Sequence, residues 1–284
     1  MVLSFGVNTW VWVSPTTTER FAQYVPKVKA MGFDMIEFGV EDTSALDYKK
    51  AAEILNDYDC GISVAAAMGP DRDLIIADRG IQQNGLAYLK HCIDACHTLG
   101  AHNLIGPMYS AVGRVWEQTP EGRERDSETL VKHLKELSSY AADKGVVLCL
   151  EPLNRFETSF LNTTQQMNEI IDRVDHPACK VLLDTFHMNI EEKSLGDAIR
   201  LCGHRLAHFH ACENDRGAPG SGNVTWNDVA EGLKDIKYEG PVVIESFTSE
   251  VKSIARAAAI WRKFESSQDA LAENGLRFLK GLLA

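Results

Sequence analysis

The 284-residue sequence predicts a (β/α)8 barrel. Short apolar segments alternate with longer stretches of 3.6-residue period about eight times. Segments such as VVLCL, KVLLD and PVVIE are apolar at successive positions, as expected of parallel strands covered on both faces. No Pro/Ser-rich linker interrupts the alternation, so residues 1–284 read as one domain. A doubly wound open sheet is the rival arrangement, disfavoured by the number of βα units.

The elements follow in order. Strands are expected at Phe5–Trp10, Met35–Val40, Ile62–Ala67, Asn103–Met108, Val146–Leu150, Lys180–Asp184, Leu206–His210 and Val242–Glu245. Helices are expected at about Thr18–Met31, Tyr48–Tyr58, Ile81–Leu99, Ser127–Lys144, Thr164–Val174, Leu195–Leu201, Trp226–Ile236 and Ser253–Arg262. A glycine, or a glycine and proline, ends the helix before several strands, as in Met31-Gly32-Phe33, Lys144-Gly145-Val146 and Glu239-Gly240-Pro241. One further helix, Gln268–Leu283, lies beyond the eighth unit, at the barrel edge or in a subunit contact.

With 29 Lys+Arg against 40 Asp+Glu, the formal net charge is −11. That balance argues against a nucleic-acid or anionic-membrane surface, which needs clustered positive charge. The start MVLSFGVNTWVWVS has no basic n-region or small-residue cleavage site, and no apolar run reaches the roughly 18 residues of a membrane span. The seven scattered cysteines include no C-x-x-C pair and read as reduced thiols; Cys92 and Cys96, one helical turn apart, read as buried packing. A cytoplasmic protein is expected.

Four consecutive strands, the fifth to the eighth, end in an ionisable residue: LCL-Glu151, VLL-Asp184, HF-His210 and VVI-Glu245, spaced by 33, 26 and 35 residues. Each spacing is about one βα unit, so all four reach the carboxyl end of the barrel, where active sites of this fold sit. Three carboxylates and an imidazole around one point repel and desolvate one another at high cost unless a divalent cation is bound. Three oxygen donors, one imidazole and no thiolate suit Mn²⁺, Mg²⁺ or Co²⁺ better than structural zinc. Glu157, His187 and Arg216 follow shortly after three of these residues, in loops expected to contact substrate.

The stretches Glu151-Pro-Leu-Asn-Arg-Phe-Glu157-Thr, Leu161-Asn-Thr, Leu183-Asp184-Thr-Phe-His187-Met-Asn-Ile-Glu-Glu, His210…Glu213-x-x-Arg216-Gly and Ile244-Glu245-Ser-Phe together resemble the D-tagatose 3-epimerase family, which includes D-psicose (allulose) and L-ribulose 3-epimerases. The resemblance is strongest over about residues 146–250 and extends more weakly along most of the chain. It implies a xylose isomerase-like TIM barrel. It implies that Glu151, Asp184, His210 and Glu245 bind one divalent metal, most simply Mn²⁺, and that Glu157, His187 and Arg216 bind a free ketose. Glu151 and Glu245 would be the acid/base pair, epimerising carbon 3 through a metal-stabilised enediolate. Arg216, on the glycine-containing stretch RGAPGSGN, would anchor a hydroxyl and move as the site closes. A homodimer or homotetramer is expected from the same resemblance.

Other positions divide less sharply. Family members often carry a bulky aromatic after strand four, whereas this chain has Tyr109-Ser-Ala-Val112-Gly-Arg-Val-Trp116, so either the pocket is wider at Val112 or Trp116 takes over. The family cysteine sometimes found near the end of strand three has no counterpart in Ala65-Ala66-Ala67-Met68. Trp10 and Trp12 read equally as pocket wall or core. Glu37, on strand two and away from the cluster, reads as a buried hydrogen-bonding residue; His208 reads as supporting or core, and His102, His176 and His204 as turn residues without chemistry. Functional alternatives are a hydroxypyruvate-isomerase-like or inosose-dehydratase-like enzyme on the same barrel, or a non-catalytic sugar-binding barrel. An endonuclease IV-like nuclease would need a histidine-rich trinuclear zinc site, against which the net charge and the single strand-end histidine ligand speak.

Overall fold

The protein is described here over residues 3–283 in a computed structural model. Eight parallel strands close into a barrel in chain order: β1 (Ser4–Asn8), β2 (Met35–Gly39), β3 (Gly61–Ala65), β4 (Asn103–Gly106), β5 (Val147–Leu150), β6 (Cys179–Asp184), β7 (Leu206–Ala211) and β8 (Pro241–Ile244), which pairs with β1. Around them run α1 (Thr18–Ala30), α2 (Tyr48–Asp57), α3 (Arg79–Leu99), α4 (Pro120–Asp143), α5 (Thr164–Val174), α6 (Thr185–Glu191), α7 (Leu195–Cys202), α8 (Trp226–Asp235), α9 (Lys252–Ala257) and α10 (Gln268–Leu283). The strand rhythm and the final helix agree with the sequence reading. Most of the buried apolar side chains form one continuous core around the strands, while a small cluster of Ala65, Ile105, Cys149 and Leu182 is separate from it. Among the described residues no helix is long and apolar enough to cross a membrane.

Beyond shifts of one or two residues at element ends, such as the first strand stopping at Asn8 and the fourth at Gly106, the structure departs from the sequence reading in three places. The helix expected to begin at Ser127 begins at Pro120, with Thr119 capping Gly122 and proline at the first helical position. Its opening turns are largely polar and exposed, so an apolar period gives no sign of them. The helix expected at Ser253–Arg262 ends at Ala257, and Ala259 just beyond takes a positive φ of 55°. The stretch DTFHMNIEE, expected as a loop, contains α6: Asp184 accepts from the backbone N–H of Phe186 at 2.8 Å and so caps a helix that carries His187.

Tight packing shapes the rim of the barrel. Gly106, the last residue of β4, has φ +121°, and a side chain there would run into the carbonyl oxygen of Ala66. The loops after β3 and β4 are joined by buried Asp73, which accepts from the backbone of Ile75, Ile76 and Ala111 and pairs with Arg114 at 2.7 Å.

Candidate active site

Glu151 lies one residue past β5 and Glu245 one past β8, while Asp184 and His210 stand at the carboxyl ends of β6 and β7. All four are buried, and one donor atom from each lies within 4.8 Å of every other. Barrel closure makes this possible, because β5 to β8 are consecutive neighbours and their ends surround one point.

The donor set fits a cation. Glu151 Oε1 and His210 Nδ1 are buried without any hydrogen-bond partner, although both face the centre of the cluster. Buried polar atoms normally find partners, and these two would find theirs in a metal ion. The other His210 nitrogen is occupied: Nε2 lies 2.9 Å from Glu37 Oε1. Glu37 also accepts from Asn8 Nδ2 at 2.9 Å and Ser63 Oγ at 2.6 Å, and lies 3.0 Å from His208 Nε2. The sequence reading is right that Glu37 is buried and hydrogen-bonded, but wrong to set it apart from the cluster. Its carboxylate orients the histidine ring and directs Nδ1 to the centre, the arrangement that tunes metal-binding imidazoles. His208 belongs to the same support.

Electrostatics in the metal-free chain separate the acids. Burial, then the nearby charges of Glu245 and Asp184, pushes the Glu151 carboxyl well above the usual range. Burial also raises Asp184 against the opposing charge of Arg216. Burial opposes ionisation of Glu245 too, but there His210 and Arg216 prevail and the carboxyl is lowered. At Glu37 burial likewise opposes charge, yet the two histidines hold it well below the ordinary value.

The Arg216 guanidinium reaches into the cluster, with Nη1 2.6 Å from Asp184 Oδ2 and 2.8 Å from Glu245 Oε2. Its backbone has a positive φ of 68°, an uncommon conformation for a side-chain-bearing residue and one often found at functional sites. Glu213 secures the surrounding loop by accepting from Trp226 Nε1 at 2.6 Å and from the backbone N–H groups of Gly220 and Val224 at 2.8 and 3.2 Å. The stretch expected to move is thus tied down by a buried carboxylate.

Asn154 organises the remaining two residues. Its Nδ2 donates to Glu157 Oε1 at 2.8 Å, and its backbone N–H donates to His187 Nδ1 at 3.1 Å. Burial, with Arg216 and His210 nearby, holds His187 neutral by lowering its pKa well below the ordinary value. A neutral ring that accepts at Nδ1 carries its proton on Nε2, directed into the site. Nε2 lies 3.1 Å from Arg216 Nη2. The same nitrogen lies 3.6 Å from Glu151 Oε1 and 3.7 Å from Asp184 Oδ2, and both His187 and Arg216 line the cavity. Asn154 belongs to the motif Glu151-Pro-Leu-Asn-Arg-Phe-Glu157, but sequence alone gives it no role; its spacing three residues before Glu157 is the only signal.

A cavity of about 320 Å³ opens over the cluster. Of the four candidate ligands, Glu151 and Glu245 line it, as do Glu157, His187 and Arg216. Val112 is on its wall, while Trp116 stacks on Phe160 and Arg114, so the pocket is open where the sequence left two possibilities. Trp10 lines the cavity; Trp12 is buried, stacked on Tyr24 and bonded to Asp269.

A parallel eight-stranded barrel with a carboxylate–imidazole cluster at its carboxyl end defines a TIM-barrel protein whose residues are positioned for a metal ion. The xylose isomerase-like TIM barrel family matches residues 25–282. The chain is 31% identical over 280 residues to the L-ribulose 3-epimerase of Methylomonas sp. (strain DH-1), covering 98% of this chain and 97% of the relative. It is 33% identical over 272 residues to the D-psicose 3-epimerase of Agrobacterium fabrum, covering 93% and 94%. The crystal structure of the D-allulose 3-epimerase from Methylomonas sp. in complex with D-allulose superposes with a TM-score of 0.91 at 30% identity, over 99% and 97% of the two chains. The chain belongs to the ketose 3-epimerase family of xylose isomerase-like TIM barrels.

Proposed function

We propose that this protein is a ketose 3-epimerase acting on free ketoses, with Glu151, Asp184, His210 and Glu245 as ligands of one divalent cation. One observation carries the reading: of these four residues, the two that line the cavity are Glu151 and Glu245. Epimerisation at carbon 3 needs one group to take a proton from one face and another to return a proton to the opposite face. Glu151 and Glu245 come from the two outer strands of the set, and a ketose held between them presents carbon 3 to both.

Glu157, His187 and Arg216 bind the carbonyl end of the sugar. The Nε2–H of His187 and the guanidinium of Arg216 donate to its oxygens, and Glu157, fixed by Asn154, accepts from a hydroxyl. The bound cation supplies Lewis-acid stabilisation of negative charge on the sugar oxygens. Mn²⁺ is the ion this reading favours, with Mg²⁺ and Co²⁺ compatible with the same donors. The reading further takes residues 1–284 as one domain, a cytoplasmic location, supported by seven buried unpaired cysteines, and a homodimer or homotetramer.

Incubation with Mn²⁺ and a panel of ketopentoses and ketohexoses in D₂O, followed by NMR, tests the function. Deuterium is expected at carbon 3 with inversion; exchange confined to other carbons points to an isomerase or dehydratase. Glu151→Gln and Glu245→Gln are each expected to lower turnover by about 10²- to 10⁴-fold, the contribution of a positioned acid or base. Unchanged turnover in either variant excludes this pair.

A further inference from the structure

One carboxylate in the cavity has no part in the steps above. Glu41 lies two residues past β2, across the barrel from β6, and lines the same cavity as Glu151 and Glu245. Glu41 is exposed at the rim, and the cavity lining also includes the apolar Ala66, Ile105 and Val112. The carboxylate is nonetheless held in place. Oε1 accepts from Trp10 Nε1 at 2.8 Å and Oε2 from Ser14 Oγ at 2.5 Å. Trp10 is itself seated, edge-on to Phe247 at a centroid distance of 6.1 Å. Gly39 provides its space, since a Cβ at that position would overlap the indole. Each carboxylate oxygen makes one of these bonds and keeps a lone pair.

We propose that Glu41 determines specificity at the sugar tail: it accepts a hydrogen bond from the terminal hydroxyl of an uncharged ketose and rejects a phosphate there. The inference rests on the epimerase reading, which puts the carbonyl end beside Glu157, His187 and Arg216. The tail then extends across the mouth toward β2. A hydroxyl can donate to an acceptor-only carboxylate, whereas a phosphate brings a charge of about −1.5 to −2 against it. The only Arg or Lys side chain lining the cavity among the described residues is Arg216, already paired with Asp184 and Glu245.

The test measures dissociation constants calorimetrically on the Mn²⁺-loaded protein for D-fructose, 6-deoxy-D-fructose and D-fructose 6-phosphate, alongside C3 exchange. The native protein is expected to bind D-fructose about 10- to 100-fold more tightly than the 6-deoxy sugar, the range for a hydrogen bond to a charged group. In Glu41→Ala that ratio collapses toward one. Glu41→Gln, which keeps an acceptor but loses the charge, retains a reduced hydroxyl preference of about 2- to 10-fold and binds the phosphate at least about tenfold better. Trp10→Phe, which keeps the ring but loses the N–H tether, reduces the preference partway. An unchanged ratio in Glu41→Ala, or an equal loss for all three sugars, overturns the proposal. Absence of C3 exchange with binding intact counts against the epimerase reading, while the binding ratios still decide on Glu41.

Discussion

At His210 the two ring nitrogens have separate duties: Nε2 meets Glu37, and Nδ1 is left for the cluster. The support is a carboxylate surrounded by Asn8, Ser63, His208 and His210, on β1, β3 and β7. Glu37→Gln keeps a similar shape but loses the charge that orients and polarises the imidazole. Metal affinity in that variant is expected to fall about 10- to 100-fold, measured by Mn²⁺ titration. A wild-type affinity would show that Glu37 only fills space. Asn154 has the corresponding duty for Glu157 and His187, through one side-chain amide and one backbone N–H.

The short helix α6 depends on a candidate metal ligand for its start, since the Asp184 side chain caps Phe186 N–H. Capping and the proposed metal binding therefore meet at one carboxylate, and two substitutions separate them. Asp184→Asn retains a capping oxygen and loses the charge, whereas Asp184→Ala loses both. In metal-free protein Asp184→Ala is expected to be about 1 kcal/mol less stable than Asp184→Asn, measured by urea unfolding. Both are expected to bind Mn²⁺ far more weakly than the native chain. Equal stabilities would mean that α6 does not need its cap.

For the whole molecule, ion binding and pH are linked. In the metal-free fold Glu151 and Asp184 are raised by burial first, and His210 is raised by Glu37 and Glu245 against its burial. The folded chain therefore keeps protons that an unfolded chain releases as pH rises above the ordinary values, so these groups lose stability with rising pH. Glu245, pulled down, titrates below that window. A cation takes the place of those protons, and the gain in Tm on adding Mn²⁺ is expected to be larger at about pH 8 than at about pH 5. An equal gain at both would contradict the linkage. The cysteines offer a second global measure. All seven are buried, and burial pushes the thiols upward, Cys60 to about 11 and Cys92 to about 12. A thiol reagent is expected to label none of them in the native protein and all seven after unfolding. Rapid native labelling would indicate an opening of the fold.

The order of strands, the final helix and the four residues at the ends of β5 to β8 were legible in the chain itself. Apolar runs and periodicity report burial directly, and a polar residue after such a run marks a strand end. Glu157, His187 and Arg216 were also within reach, through their motifs. The roles of Glu37, Asn154 and Glu213 were not, because each acts through partners brought close only by folding: Glu37 and His210 are 173 residues apart. The first turns of α4 were hidden because they bury little, and α6 because its cap doubles as a site residue. The choice of Trp10 over Trp12 as cavity wall, and of an open Val112 over Trp116, depended on which face each side chain presents once the barrel closes. Local sequence determined the elements and most of the polar side chains they bring to the cavity. Barrel closure decided which groups touch, because contact across the barrel depends on the register and tilt of all eight strands together.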